Sequence, residues 1–293
     1  MENNIIEGYM PFHEFTTYYR IVKGGNKPAL VLLHGGPGST HNYMEVFDEL
    51  AKETGRDIIM YDQLGCGNSY LENRPDLWKA ETWVEELRSL RTYLNLKDIH
   101  LLGQSWGGML AIHYMIEEKP EGVHSLILSS TLPCSELWGK EQHRLITFMS
   151  EEDQQAIREA EKTDDYTGDA YMRANEHFMK LHCADVTDQD PECVRRKKRS
   201  GRESYVTAWG PNEFTPLGTL KNFDYTERLH EIKVPALICS GTNDLCTPLI
   251  AKTMYDRIPV SKWHLFDGSR HMCFVERHEE YMQELIPWME KYD

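Results

Sequence analysis

The sequence predicts an α/β fold in which a mostly parallel sheet carries helices on both faces. Short, almost wholly apolar runs alternate with segments of helical spacing in the first part of the chain, at 29–33, 57–61, 99–102 and 126–129. Strands that are apolar on both sides are typical of parallel sheets buried between two layers of helices. The same alternation returns later, with apolar runs at 236–240 and 262–266.

The remaining elements follow from periodicity. Residues 5–10 and 15–22 alternate loosely between apolar and polar side chains and predict an opening hairpin. Apolar spacing and position between strands predict helices over 42–54, 80–95, 106–118, 248–257 and 278–291.

A long polar segment interrupts this pattern. Residues 132–225 are rich in charge, helix-like, and contain no clear run of core strands. We therefore predict one core formed by 1–131 and 226–293, with 132–225 as a mostly helical cap inserted at strand ends, where α/β proteins bind their ligands. The basic run at 195–199 (RRKKR) lies in this cap, and we interpret it as a solvated helix face rather than a nucleic-acid patch.

Composition limits the function classes. The 293 residues include 47 acidic and 32 basic side chains, a net charge of −15, which disfavours nucleic acid or an anionic membrane as the main partner. No apolar run approaches the ~20 residues of a membrane helix, and the first residues do not resemble a signal peptide. We expect a cytoplasmic protein, with a monomer as the working assumption. The seven cysteines are expected to be reduced, and a bridge between Cys183 and Cys193 is the alternative.

A candidate nucleophile lies directly after the third apolar run. The sequence Gly103-Gln104-Ser105-Trp106-Gly107 matches G-x-S-x-G, with an apolar strand before it and a helix after it. A sharp strand-to-helix turn exposes a serine hydroxyl beside a base, and glycines leave the space that such a turn requires. We therefore predict that Ser105 is a nucleophile.

A turn that could stabilise an oxyanion follows the first apolar run. It has the sequence HGGPG at 34–38. Acyl transfer needs two backbone N–H groups aimed at the developing negative charge. We assign one to Trp106, the residue after the nucleophile, and the other to Gly36, because Pro37 has no N–H. We expect His34 to brace this turn rather than to transfer protons.

Chain order indicates the base and the acid. In hydrolytic sites of this kind the order is Ser, Asp or Glu, then His, with the acid after a late strand and the base after the last one. Asp244 and His271 occupy these positions. Asp267 is too near its strand end to reach around the imidazole, and Asp62 is expected to fix its own turn. We predict no metal: no H-E-x-x-H motif occurs, and His177, His182 and Cys183 have no convincing further ligand.

Six motifs resemble those of the proline iminopeptidases, serine aminopeptidases of the α/β-hydrolase fold, and of their close amidase relatives. They are HGGPGSTHNY at 34–43, YDQLGCGNS at 61–69, GQSWGG at 103–108, GPNEF at 210–214, GTNDLCTP at 241–248 and GSRHM at 268–272. The resemblance covers nearly the whole chain. It implies an α/β-hydrolase fold, catalysis without a cofactor, and cleavage of a peptide or amide after a small N-terminal residue, typically proline.

The resemblance also implies a substrate site. Glu213 in GPNEF inherits the role of binding the substrate amine, and Gly35 and Trp209 are candidate pocket residues. Many family members carry a second Glu directly after the catalytic Asp, where this chain has Leu245. Glu276 is a candidate replacement. The departure leaves amino-acid amides, N-acyl amides or esters open as substrates, and a binding protein without catalysis remains the alternative from another class.

Overall fold

The computed structural model describes residues 4–293, which form one eight-stranded sheet flanked by helices. The strands are β1 (Ile5–Phe12), β2 (Phe15–Val22), β3 (Lys27–Leu33), β4 (Arg56–Tyr61), β5 (Ile99–Gln104), β6 (Val123–Ser129), β7 (Ala236–Gly241) and β8 (Ser261–Phe266). Their order in the sheet is β1-β2-β4-β3-β5-β6-β7-β8. β1, β2 and β4 pair antiparallel, and all pairs from β4 to β8 are parallel. The predicted opening hairpin and mostly parallel sheet are confirmed.

The helices of residues 4–293 are short to medium in length, and none of them is long and apolar enough to cross a membrane. They are α1 (Glu49–Thr54), α2 (Ala80–Tyr93), α3 (Trp106–Glu117), α4 (Ser135–Ile146), α5 (Glu151–Thr163), α6 (Asp169–His182), α7 (Glu192–Arg195), α8 (Arg202–Ala208), α9 (Pro248–Tyr255), α10 (Cys273–Glu276) and α11 (His278–Lys291).

One predicted helix is divided. The segment expected to form a single helix over 42–54 begins as a 3-10 helix, His41–Phe47, and continues as α1. Asp48 lies between them, and its carboxylate accepts two hydrogen bonds from the Arg20 guanidinium on β2, at 2.7 and 2.6 Å. This ion pair ties the junction to the sheet.

The apolar runs in the sequence correspond to strands that are buried on both faces. Along β3, Val31 and Leu33 belong to the core on one side of the sheet, and Leu30 and Leu32 belong to the core on the other side. The first core includes apolar residues of α2 and α3, and the second includes those of α1 and α11. Because alternate side chains enter two different cores and both cores are apolar, these strands lack the alternation of apolar and polar residues that half-exposed strands show.

The long segment between β6 and β7 contains α4 to α8. Its two ends meet: Cys134 and Asp224 form an antiparallel bridge, and the Ser135 amide donates to the Phe223 carbonyl at 2.9 Å. These contacts lie near the boundaries expected for the cap, and we propose that residues 132–225 form the cap.

The basic run at 195–199 differs from its expected form as a solvated helix face. Only Arg195 lies in a helix, α7, and residues 196–199 have no regular secondary structure. Arg196 pairs with Glu45 at 2.8 Å, and the Arg199 guanidinium lies 3.5 Å from the centroid of the Tyr70 ring. These contacts hold the run against the core, and the sequence pattern alone does not contain them.

Candidate active site

Ser105 occupies a strained turn between β5 and α3. Its φ of 55° and ψ of −125° are rare for a residue with a side chain. The turn is possible because its neighbours lack side chains: a Cβ on Gly103 would lie 2.3 Å from the Gly107 carbonyl oxygen, and one on Gly107 would lie 2.0 Å from that of Leu33. Thr131, which follows β6, donates a hydrogen bond from its hydroxyl to the Ser105 carbonyl at 2.6 Å and so fixes the turn. Ser105 is 8% exposed and lines the cavity, the position expected of a nucleophile at a sharp strand-to-helix turn.

His271 and Asp244 come together as the sequence predicts. The His271 Nδ1 lies 2.7 Å from Asp244 Oδ1. The carboxylate also accepts from the Ser130 hydroxyl at 2.6 Å and from the Cys246 amide at 2.8 Å. Asp244 is 1% exposed, so these bonds fix its orientation and compensate for its burial. An imidazole held through Nδ1 presents Nε2 for proton transfer.

Ser105 and His271 line the same cavity. Within the described part of the chain, no hydrogen bond joins the Ser105 hydroxyl to the imidazole. Catalytic hydrogen bonds are often long in unliganded enzymes and shorten when substrate binds. The Trp138 ring packs edge-on against the His271 ring with centroids 5.9 Å apart, and so limits where the imidazole can move.

The two predicted oxyanion donors lie beside the nucleophile. Gly36 lines the cavity with Ser105, and Trp106 is the first residue of α3. Neither backbone N–H has an acceptor among residues 4–293. Gly36 has a φ of 119°, and a Cβ there would lie 2.6 Å from the Gly38 amide nitrogen. Only glycine fits this conformation readily, and it leaves the amide free for a substrate oxygen.

A buried network braces these donors. The His34 Nε2 accepts from the Gln63 amide at 3.1 Å, and the Gln63 side chain donates to the His34 carbonyl at 3.0 Å. The Trp106 indole donates to Gln63 Oε1 at 2.7 Å. Burial lowers the pKa of His34 to about 4, so the ring is neutral and can accept the bond. Gln63 thus connects both halves of the predicted oxyanion site, and the sequence analysis missed this contact.

Three nearby side chains, His34, Asp62 and Cys66, place potential ligand atoms within 4.8 Å of one another. Each already has a hydrogen-bond role. Asp62 accepts from the His41 and Asn68 amides at 2.9 and 2.8 Å, and the Cys66 thiol donates to the Gln63 carbonyl at 3.2 Å. Burial raises the pKa of Cys66 well above its usual range, which keeps the thiol protonated. We interpret these three side chains as a hydrogen-bonded cluster that stabilises the turn after β3 and the turn after β4.

The cavity has a volume of about 420 Å³. The predicted site residues Gly35, Gly36, Ser105, Glu213 and His271 line it, together with Pro37, Gly38, Ser39, Tyr43, Gln104, Cys183, Ala184, Val186, Val194, Lys198, Ser200, Gly201, Arg202, Tyr205 and Met272. A cleft of this size encloses a small ligand. The lining is mixed, with apolar side chains from the cap and backbone polar groups from the core.

Glu213 brings a carboxylate from the cap into this cavity. It accepts a hydrogen bond from the Tyr205 hydroxyl at 2.7 Å, and its backbone carbonyl accepts from the Trp138 indole at 2.8 Å. Burial raises the pKa of Glu213, and the Tyr205 bond acts against that rise. A partly desolvated carboxylate of this kind pairs strongly with a substrate ammonium.

Two candidate substrate residues lie outside the lining. Glu276 is bound by Arg270, whose Nε and backbone amide both donate to it at 2.7 Å. Its carboxylate therefore supports the loop that carries His271. Trp209 is 3% exposed and packs edge-on against Trp138, which separates it from His271. Leu245, in the place of the second family Glu, is fully buried.

The sequence analysis also missed several residues at the site. Ser130 binds Asp244, Tyr205 binds Glu213, and the Tyr43 hydroxyl accepts from the Gly35 amide at 2.6 Å and donates to Gln104 at 2.8 Å. Their only sequence signal is proximity to strand ends or to the quoted motifs. All three orient the residues that were predicted.

The fold and the arrangement of Ser105, His271 and Asp244 define a serine hydrolase of the α/β-hydrolase class. The family model for the alpha/beta hydrolase fold matches residues 28–278. The chain is 59% identical over 293 residues to a proline iminopeptidase of Clostridioides difficile and 60% identical over 292 residues to one of Clostridium botulinum. Each alignment covers 99% of both chains. A solved proline iminopeptidase of Mycobacterium smegmatis superposes with a TM-score of 0.87 at 30% identity and 98% coverage of both chains. The chain belongs to the proline iminopeptidase family.

Proposed function

We propose that this protein hydrolyses the amide bond after a small N-terminal residue, with proline as the preferred one. The observation that carries the proposal is the position of Glu213 in the cavity that Ser105 and His271 also line. A carboxylate close to an activated serine selects substrates whose free amine lies near the scissile carbonyl. The name shared by the relatives supports the same substrate class.

The proposed mechanism proceeds through an acyl-enzyme. The Ser105 hydroxyl attacks the carbonyl carbon while His271 Nε2 accepts its proton, and Asp244 stabilises the imidazolium through Nδ1. The carbonyl oxygen, now negative, binds the Gly36 and Trp106 amides. His271 returns the proton to the leaving amine as the C–N bond breaks. A water molecule then attacks the ester in the same way, releases the free amino acid, and restores Ser105.

The cavity chemistry suits a compact, apolar residue with a free amine. Ala184, Val186 and Met272 contribute apolar lining, and a proline ring is small and apolar. Within the described residues, Glu213 supplies the only carboxylate of the lining. A prolyl ammonium has two N–H groups, which a single carboxylate can accept. Glu213 therefore carries the whole recognition of the amine in this proposal.

The test is a comparison of substrates. We expect kcat/KM to be higher for a Pro-arylamide than for N-acetyl-Pro-arylamide or for a short neutral aryl ester. Glu213→Gln should lower kcat/KM on the Pro-arylamide by about tenfold to a hundredfold relative to the neutral ester, the effect of one charge-assisted hydrogen bond. Glu276→Gln is the control for this ratio: its carboxylate binds Arg270 outside the cavity, so any loosening of the His271 loop should lower kcat/KM on both substrates equally. Equal losses on both substrates would refute amine recognition by Glu213.

The second candidate is an amide or ester hydrolase that does not require a free amine. The buried Leu245 favours it, because a cavity with one carboxylate holds an amine less firmly than one with two. A wild-type protein that prefers the N-acetylated substrate would support this second candidate and overturn the first.

We further infer that the protein acts in the cytoplasm, as a monomer, on small peptides or amides and without a cofactor. The seven cysteines are free, which suits a reducing compartment. Every group in the proposed mechanism comes from one chain.

A further inference from the structure

We propose that Lys198 binds the carboxylate at the far end of a short peptide substrate, so that the protein favours Pro-X dipeptides over longer or blocked peptides. The inference rests on the proposed function, because it concerns the leaving group of the same reaction. Lys198 belongs to the basic run at 195–199, which the proposed mechanism does not use.

The position of Lys198 is fixed by its neighbours in the chain. On one side, Arg196 pairs with Glu45 and Glu192. On the other side, Arg199 stacks on Tyr70, and its carbonyl accepts from the Gly67 amide at 2.8 Å. With Arg196 and Arg199 attached to other groups and Lys197 exposed, Lys198 is the member of the run that lines the cavity.

The Lys198 ammonium has no carboxylate partner among the described residues. Its Nζ lies 4.5 Å from the centroid of the Tyr43 ring, a cation–π contact. Burial lowers the pKa of this ammonium, so an arriving carboxylate would stabilise its charged form. A half-buried cation in a substrate cavity, held by an aromatic face alone, is suited to an anionic group of the ligand.

Charges of opposite sign lie on different walls of the cavity. Trp138 contacts both the His271 ring and the Glu213 carbonyl, which places Glu213 on the His271 side. Lys198 lies over Tyr43, whose hydroxyl binds the Gly35 amide, on the side of the oxyanion turn. A zwitterionic peptide with its ammonium at Glu213 and its carbonyl at Ser105 would extend its leaving residue toward this second wall. A cavity of about 420 Å³ suits a ligand of dipeptide or tripeptide size.

The test measures free proline released from Pro-Gly and from Pro-Gly-amide, which differ only in the terminal carboxylate. The informative quantity is the ratio of the two kcat/KM values. We expect wild type to prefer Pro-Gly by about tenfold, the lower end for a charge-assisted bond because the site is partly open. Lys198→Met should reduce the ratio toward one, and Lys198→Arg should restore most of it.

Two further variants separate this role from others. Lys197→Met is the matched control, since Lys197 is the exposed neighbour and does not line the cavity, and its ratio should equal that of wild type. Arg202→Met tests the other cation of the lining. The proposal is wrong if Lys198→Met leaves the ratio unchanged, or if Arg202→Met alone removes the preference. Turnover of a Pro-arylamide, which has no carboxylate, reports on the proposed function separately.

Discussion

At the scale of single residues, the turn around Ser105 makes the sharpest prediction. Ser105→Ala should lower kcat by about 10⁶-fold, the loss seen when the nucleophile of a catalytic triad is removed. Alanine keeps the Cβ of serine and so meets the same backbone conformation at this position, and the melting temperature should change little. The measurement is Pro-arylamide turnover together with labelling by a fluorophosphonate probe.

Labelling has an internal control. Ser200 also lines the cavity but lies after α7 in no regular secondary structure, and its hydroxyl has no hydrogen-bond partner among residues 4–293. Ser200→Ala should still be labelled at Ser105, and Ser105→Ala should not be labelled at all. More than a few per cent of residual turnover in pure Ser105→Ala protein would contradict the assignment.

The position of Glu213 predicts a pH dependence of kcat/KM that only substrates with a free amine should show. Burial raises the pKa of its carboxyl, so the protonated form is populated at a higher pH than for an ordinary glutamate, whose pKa is about 4.3. Binding of an ammonium requires the carboxylate and is therefore lost as the pH falls through the raised pKa. As the pH falls from neutral toward about 4.3, kcat/KM for a Pro-arylamide should fall faster than for a neutral ester.

The ratio of the two substrates removes the titration of the catalytic groups, which both substrates share. In Glu213→Gln that ratio should not vary with pH, because the side chain no longer titrates. A wild-type ratio that stays constant as the pH falls from 7 to about 4.3, the pKa of an ordinary glutamate, would show that Glu213 does not bind the amine in its ionised form.

At the scale of elements, close contact between α3 and β3 depends on one missing side chain. A Cβ on Gly107 would lie 2.0 Å from the Leu33 carbonyl oxygen, and backbone cannot give way as a flexible side chain would. Gly107→Ala should therefore destabilise the protein by at least ~1–3 kcal/mol, the usual cost of overpacking, and lower the melting temperature by roughly 2–4 °C per kcal/mol.

Gly168 is the matched control for this substitution. It caps α6 with an ordinary φ of −67°, and no atom lies within 4 Å of the Cβ position. Gly168→Ala should cost less than about 1 kcal/mol, the preference of an N-cap for glycine over alanine. Thermal unfolding of both variants by circular dichroism makes the comparison. Similar melting temperatures for the two would mean that α3 can move away from β3 at little cost.

At the scale of the whole molecule, Glu203 joins the proposed cap to the core. Glu203 lies in the first turn of α8. Its carboxylate accepts hydrogen bonds from the Trp78 indole at 2.7 Å and from the Asn73 and Arg74 amides at 2.6 and 3.0 Å. Trp78 is fully buried, so loss of its acceptor should cost ~1–3 kcal/mol. Glu203→Ala should loosen the cap and speed its cleavage by a protease.

The measurement is limited proteolysis of native protein, with fragments identified by mass. Cleavage within 183–201 should accelerate in Glu203→Ala and not in Glu121→Ala, which removes an exposed carboxylate from a turn of the core. If both variants are cut at the wild-type rate, Glu203 does not hold the cap in place.

Most of the core and the candidate catalytic residues could be predicted from the sequence, because they depend on local chemistry. Continuous apolar runs mark strands that are buried on both faces, and their order along the chain indicated where Asp244 and His271 would meet. The glycines around Ser105 belong to one short motif because the strained turn is itself local. The helix predicted over 42–54 was only partly right, since a contact between Asp48 and distant Arg20 lies at its break.

The tertiary structure alone decided the surroundings of the site. The sequence determined the fold class and the three catalytic candidates, because strand periodicity and tight turns depend on neighbouring residues. It could not indicate that Trp138 would stand between Trp209 and His271, or that Arg270 would bind Glu276. Nor could the sequence indicate that Lys198 would contact Tyr43, since that contact joins segments more than a hundred residues apart. Such contacts depend on how the cap packs on the core, and no local pattern records that packing.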